Sequence, residues 1–161
     1  MKKKIIISLS VLLLVIATSA ISLAVNNAIE NNKKKVPSDY KIGIPYEQAL
    51  KSDKPMLALF YVDWCGYCLR FMPKYKEIHS AYKDKFSVVM LNAEEPKNQS
   101  LVADVKLTGF PTLYIIDPKY DNRLLLNNAL YLDKPSLQKE LDRYLRIRSL
   151  LDKGAECTQG K

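Results

Sequence analysis

Cys65 and Cys68 follow almost directly on an unbroken apolar run, Met56-Leu57-Ala58-Leu59-Phe60-Tyr61-Val62, and that junction limits the fold more than any other part of the chain. An apolar run with no polar alternation reads as a central strand buried on both faces. After the turn at Asp63-Trp64, a helical pattern runs from Cys65 to about Tyr82, with Leu69, Met72, Tyr75, Ile78 and Tyr82 at spacings of three and four. Pro73 stands inside that pattern and is expected to kink it. The Cys-x-x-Cys pair therefore sits where a strand ends and a helix begins.

That position has chemical consequences. The first backbone N–H groups of a helix lack intrahelical partners, and the helix end carries partial positive charge. A thiolate at Cys65 is stabilised there and reads as the attacking nucleophile. Cys68, one turn further in, reads as the resolving thiol that displaces the partner from Cys65. Gly66 is read as permitting close approach of the two sulfurs, and Trp64 as an apolar rim on one side. A second landmark, Gly109-Phe110-Pro111-Thr112, precedes another apolar run, Leu113 to Ile116. Pro111 is a candidate for a cis peptide bond, which would turn the Phe110 backbone toward the dithiol as an edge for an extended substrate.

The remaining pattern reads as a short helix at Tyr46–Lys51, a second strand at Phe86–Leu91, a helix at Asn98–Lys106, a third strand at Thr112–Ile116 and a fourth, irregular strand at Leu124–Leu132. A last helix spans Asp133–Asp152, with Pro135 in its first turn, a buried stripe of Leu137, Leu141, Tyr144, Leu145 and Leu151, and Gly154 as its stop. Strands alternating with helices predict an α/β fold, a mixed sheet with helices on both faces.

Charge divides the chain. The net charge is +8 overall, but residues 1–41 hold seven Lys against two acids, whereas residues 42–161 hold eighteen basic and fifteen acidic residues. The folded part has an ordinary mixed surface, which argues against nucleic acid as a partner. Lys2, Lys3 and Lys4 precede 21 uncharged residues, Ile5 to Val25. Residues 1–25 thus read as a cleaved signal peptide or a membrane anchor, and both place the rest of the chain outside the cytoplasm, where disulfide chemistry is permitted. Residues 26–41 read as a polar linker, 42–153 as the domain and 154–161 as a disordered tail. The lysines at 33–35 read as a solvated tether that could also rest on anionic lipid.

The chain resembles the thioredoxin superfamily. Trp64-Cys65-x-x-Cys68 resembles its active-site motif, Pro73 its helix proline, and Phe110-Pro111-Thr112 its cis-proline loop, over roughly residues 44–150. The resemblance implies a thioredoxin-like fold with a central mixed sheet of four to five strands. It implies a Cys65–Cys68 redox-active disulfide, with Trp64, Gly66, Tyr67, Phe110 and Pro111 contacting substrate. It implies protein disulfides or dithiols as substrates, no organic cofactor and a redox partner protein, such as a membrane thiol transporter. Within the superfamily the chain is most similar to exported or membrane-anchored thiol–disulfide oxidoreductases of bacterial envelopes, and a disulfide reductase is the expected activity. Two departures stand out. The strand position six residues before the first Cys, a buried Asp in cytosolic thioredoxins, is Leu59, and its usual Lys companion on the next strand is replaced by Met90. Gly66-Tyr67 resembles the dipeptide of the periplasmic disulfide isomerase, but the linker is too short to be that protein's dimerisation domain.

Other uses of the cysteines fit less well. Zinc needs four ligands, and only Cys157 and His79 remain. No His or Met is paired with the thiols for copper. A purely structural disulfide closing so short a loop stabilises little. His79 reads as a partly exposed helix residue, Cys157 as a free thiol or an intermolecular disulfide, and Tyr114, Tyr131 and Tyr144 as packing residues. The competing class is a client-binding module of the same fold in which the dithiol is incidental; within the enzyme class the competitor is an oxidase or isomerase.

Overall fold

The computed structural model describes residues 34–131 and 133–159, together with Ile16, Thr18, Ser19, Ile21, Ser22 and Val25. Most of the leader, residues 26–33 of the linker and the Cys157 side chain lie outside the described part. Among the described residues no helix is long and apolar enough to cross a membrane. The chain divides into two units, Met1–Lys35 and Val36–Lys161, and the second carries the fold.

Its elements are helix α1 (Tyr46–Ala49), strand β1 (Met56–Tyr61), helix α2 (Gly66–Tyr82), strand β2 (Ser87–Asn92), helix α3 (Gln99–Asp104), strand β3 (Thr112–Asp117), strand β4 (Asn122–Leu125) and helix α4 (Lys134–Gln159). The sheet order is β2-β1-β3-β4, with β1 and β2 parallel and the β1–β3 and β3–β4 pairs antiparallel. The expected mixed sheet is therefore present, with four strands.

Period-two alternation along β1 explains why both faces are covered. Leu57, Leu59 and Tyr61 point into one core cluster with Met72, Tyr75 and Ile78 of α2 and Leu137, Leu141 and Tyr144 of α4. Met56, Ala58 and Phe60 point into the other, with Ala49 of α1 and Leu101 of α3. Every residue of β1 is buried, so its continuous apolar run is the sequence image of a strand between two helical layers.

Several boundaries differ from expectation. The fourth strand is short, and Asn128–Tyr131 forms a 3-10 turn instead; beyond the strand Leu126 and Tyr131 supply buried side chains, and the Leu126 N–H still donates to the Leu113 carbonyl at 3.0 Å. Gly154 does not stop α4, which runs on to Gln159. Leu151 is exposed rather than part of the buried stripe. In α2 the buried face includes Phe71, while Leu69 is half-buried. The segment read as a linker joins the fold early: Pro37–Tyr40 is a 3-10 turn with Pro37 buried. Ser38 ties it down, its backbone N–H and Oγ donating to the two carboxylate oxygens of Asp63 at 2.9 and 3.0 Å.

Gly43 is required where it stands. Its φ is +84°, and a Cβ there would lie 2.1 Å from the Val88 carbonyl oxygen. That close approach lets the Ile44 N–H donate to the same oxygen at 2.9 Å, joining the chain before α1 to β2.

Candidate active site

The dithiol site assembles at the carboxyl ends of β1 and β2. Cys65 is the N-cap of α2, and the Cys68 backbone N–H donates to Cys65 Sγ at 3.0 Å. The helix thus begins by directing one of its unpartnered N–H groups at the nucleophile's sulfur, the arrangement that favours a thiolate. Cys65 and Cys68 are joined as a disulfide, with Cα atoms 5.2 Å apart. Their burial is unequal: Cys65 is 6% exposed and Cys68 0%, so an incoming partner reaches Cys65 first.

The two intervening residues lie outward. Tyr67 is 71% exposed and Trp64, just before the pair, 73%. Gly66 has ordinary backbone geometry and nothing within 4 Å of where a Cβ would stand. Beyond its chain neighbours, the missing side chain leaves open space on this surface.

The Phe110-Pro111 peptide bond is cis. Phe110 meets Trp64 edge to face, with ring centroids 6.4 Å apart and planes at 89°. A groove of about 470 Å³ runs between them, lined by Trp64, Cys65, Gly66, Tyr67 and the segment Leu107–Phe110. A second groove, of about 420 Å³, lies on the Tyr67 side and is lined by Tyr67, Arg70, Phe71, Lys74, Pro111, Asn128, Ala129 and Tyr131. Together the two grooves bring Trp64, Cys65, Gly66, Tyr67, Phe110 and Pro111 into one surface; Cys68 lies beneath it.

Sequence reasoning missed several contributors. The Trp64 indole N–H donates to Glu94 Oε1 at 3.0 Å, which fixes the rim. The parallel pairing of Tyr61 with Asn92 brings the segments after β1 and β2 side by side, a register that the sequence alone does not give. Arg70 lies over the Tyr67 ring, its guanidinium carbon 4.4 Å from the centroid, a contact set by their three-residue helical spacing. Tyr131, expected only to pack, also walls the second groove; its hydroxyl accepts the Leu113 N–H at 2.6 Å, and burial pushes its ionisation up to about 12.

The two departures fall on facing positions. Leu59 pairs with Met90 across β1 and β2, and Leu59 is fully buried in the same core cluster as Cys68. Met90 Sδ accepts the Ile42 N–H at 3.3 Å. Where an acid and a base are expected from the resemblance, an apolar pair fills the space. Asp63, the nearest acid in sequence, is occupied by Ser38. His79 lies toward the far end of α2, lining a groove with Lys51, Lys54 and Lys83.

The sequence profile of the Thioredoxin family matches residues 38–127. Among curated relatives, a chloroplastic thioredoxin-like protein of Arabidopsis thaliana, HCF164, is 36% identical over 46% of this chain and 28% of its own length. The thiol:disulfide interchange protein TxlA of Synechococcus elongatus is 37% identical over 42% of this chain and 35% of its own length. The chain thus spans about a third or less of these relatives. Among solved structures, the germline-specific thioredoxin Deadhead of Drosophila melanogaster superposes with a TM-score of 0.51 at 21% identity, covering 60% of this chain and 90% of that one, and it supports the fold alone. With more than half of its length matched by the family profile and a Cys-x-x-Cys pair capping α2, the chain belongs to the thioredoxin family and carries a thiol–disulfide oxidoreductase domain.

Proposed function

We propose that this protein reduces disulfides of protein substrates outside the cytoplasm. The observation that carries the reading is Cys65 Sγ at the first turn of α2, receiving the Cys68 N–H, next to the Phe110-Pro111 edge and above a fully buried Cys68. In the reduced protein, the Cys65 thiolate attacks one sulfur of the client disulfide. A mixed disulfide forms, and the other client sulfur leaves as a thiolate. The Cys68 thiolate then attacks Cys65 Sγ, the Cys65–Cys68 disulfide forms, and the second client thiolate leaves. Two electrons pass to the client, whose thiolates take protons from solvent. A redox partner protein, such as a membrane thiol transporter, restores the dithiol.

The lysine-led apolar leader supports export, as an anchor if it is retained. The reducing direction is supported by the combination of a tethering segment and an exposed aromatic rim at Trp64 and Tyr67. A second reading, oxidase or isomerase, is favoured by one observation: the Leu59–Met90 pair, which leaves Cys68 without the ionisable neighbours of a cytosolic thioredoxin. The test is trapping. Pre-reduced Cys68→Ser protein should accumulate a mixed disulfide with client proteins through Cys65, and Cys65→Ser protein should not. Full turnover by a double Cys-to-Ala variant would sink the enzyme reading and leave client binding.

A further inference from the structure

The two grooves beside Cys65 differ in charge. No Lys, Arg, Asp or Glu lines the one between Trp64 and Phe110. The one on the Tyr67 side has an apolar floor of Phe71, Pro111, Ala129 and Tyr131, with Arg70 and Lys74 along it. The cations are held differently. Lys74 donates from Nζ to the Tyr131 carbonyl. Arg70 is exposed, and its guanidinium rests on the Tyr67 ring. Among the described residues Arg70 has no carboxylate partner.

Elsewhere on the domain, Arg123, Arg143 and Arg148 are each paired with a carboxylate; Arg70, unlike them, is stacked on an aromatic ring beside the dithiol. A planar cation fixed against an aromatic face keeps its outer N–H donors free and loses little freedom on binding an acid. The apolar floor lowers the local dielectric and strengthens that attraction relative to open water. Both features lie beside the pair at which a client's cysteine must dock.

We propose that the Tyr67–Arg70 groove is a client subsite that selects an acidic side chain flanking the client's reactive cysteine, with Arg70 as its specificity-determining residue. This rests on the exchange reaction proposed above. The client segment lies extended along the Phe110 edge, its cysteine at Cys65 and its neighbouring Asp or Glu over Arg70 and Lys74.

The test uses the full chain, pre-reduced, against peptides whose single cysteine is a mixed disulfide with 2-mercaptoethanol and whose flanking residues on both sides are Glu, Gln or Lys. Hydroxyethyl disulfide, small and uncharged, reports exchange itself. The expected order of second-order rate constants is Glu above Gln above Lys, with Glu over Lys by about fivefold, the scale of an exposed ion pair. The ratio should shrink in ~1 M salt, collapse in Arg70→Ala and invert in Arg70→Glu. Equal rates for the three peptides with hydroxyethyl disulfide still reduced would overturn the subsite and leave the exchange reaction standing. Failure to reduce hydroxyethyl disulfide would overturn both. An Arg70-dependent dimer at assay concentration would place a second copy of the chain in the groove and would also overturn the proposal.

Discussion

At the scale of single residues, the chemistry depends on what surrounds two sulfurs. Cys65 needs only the start of a helix, and the Cys68 N–H supplies it. Cys68 has no ionisable group at the position the family's cytosolic members would use, because Leu59 and Met90 face each other there. Leu59→Asp puts an unpaired carboxylate into a fully buried site, and its pKa is driven up. The expected cost is on the order of 2–4 kcal/mol of stability, partly recovered by adding Met90→Lys. The pH profile of exchange should gain an ionisation above the ordinary carboxylate range, absent from the natural protein and from Leu59→Asn. A pH profile unchanged by Leu59→Asp would show that this position does not communicate with Cys68. The cysteines, Trp64, Phe110 and Pro111 were legible from spacing and residue type. Glu94 and Arg70 were not, because an exposed charged residue gains its meaning from a neighbour that only the strand register or the helix turn reveals.

At the scale of elements, the apolar run of β1 and the three-and-four spacing of α2 were readable because each element is buried in the way its period records. Ends were harder to read. Gly154 is not a stop because glycine only permits an ending; here the helix continues through it. Besides the core packing of Leu137, Leu141 and Tyr144, α4 is held by a clasp at its middle. Asp117, almost fully buried at the end of β3, accepts from Tyr144 Oη at 3.1 Å and Arg148 Nε at 2.6 Å. Arg148 also donates to the Asp53 carbonyl at 2.6 Å and reaches Asp152. Arg148→Ala leaves Asp117 with Tyr144 alone as a side-chain partner and should cost about 2 kcal/mol, below the cost of breaking a fully buried pair because Arg148 is partly solvated. Arg148→Lys should rescue little, since one ammonium cannot span three acceptors. Thermal unfolding checks both, and exchange per folded molecule should stay at its natural value because the clasp is not part of the dithiol site. A loss below about 0.5 kcal/mol, the scale of an ordinary surface substitution, would show that Arg148 is dispensable.

At the scale of the whole molecule, a tyrosine-rich core ties stability to high pH. Burial holds Tyr61 and Tyr131 at about 12, and it drives Tyr75 and Tyr144 higher still. The folded state keeps these phenols neutral where the unfolded chain would ionise them near pH ~10. Their contribution is therefore full below ~10 and is lost as pH rises toward 12 and beyond. Tyrosinate absorbance and circular dichroism followed together should show these phenols ionising with unfolding; ionisation near pH ~10 with the fold intact would contradict their burial. The central claim, a reducing dithiol at Cys65 and Cys68, is tested most directly by the equilibrium reduction potential of that pair in the full chain, titrated against dithiothreitol or glutathione. The account predicts reversible disulfide formation with a value near ~−270 mV, in the range of thioredoxin. A value near ~−120 to −180 mV, or no reversible disulfide at all, would contradict it.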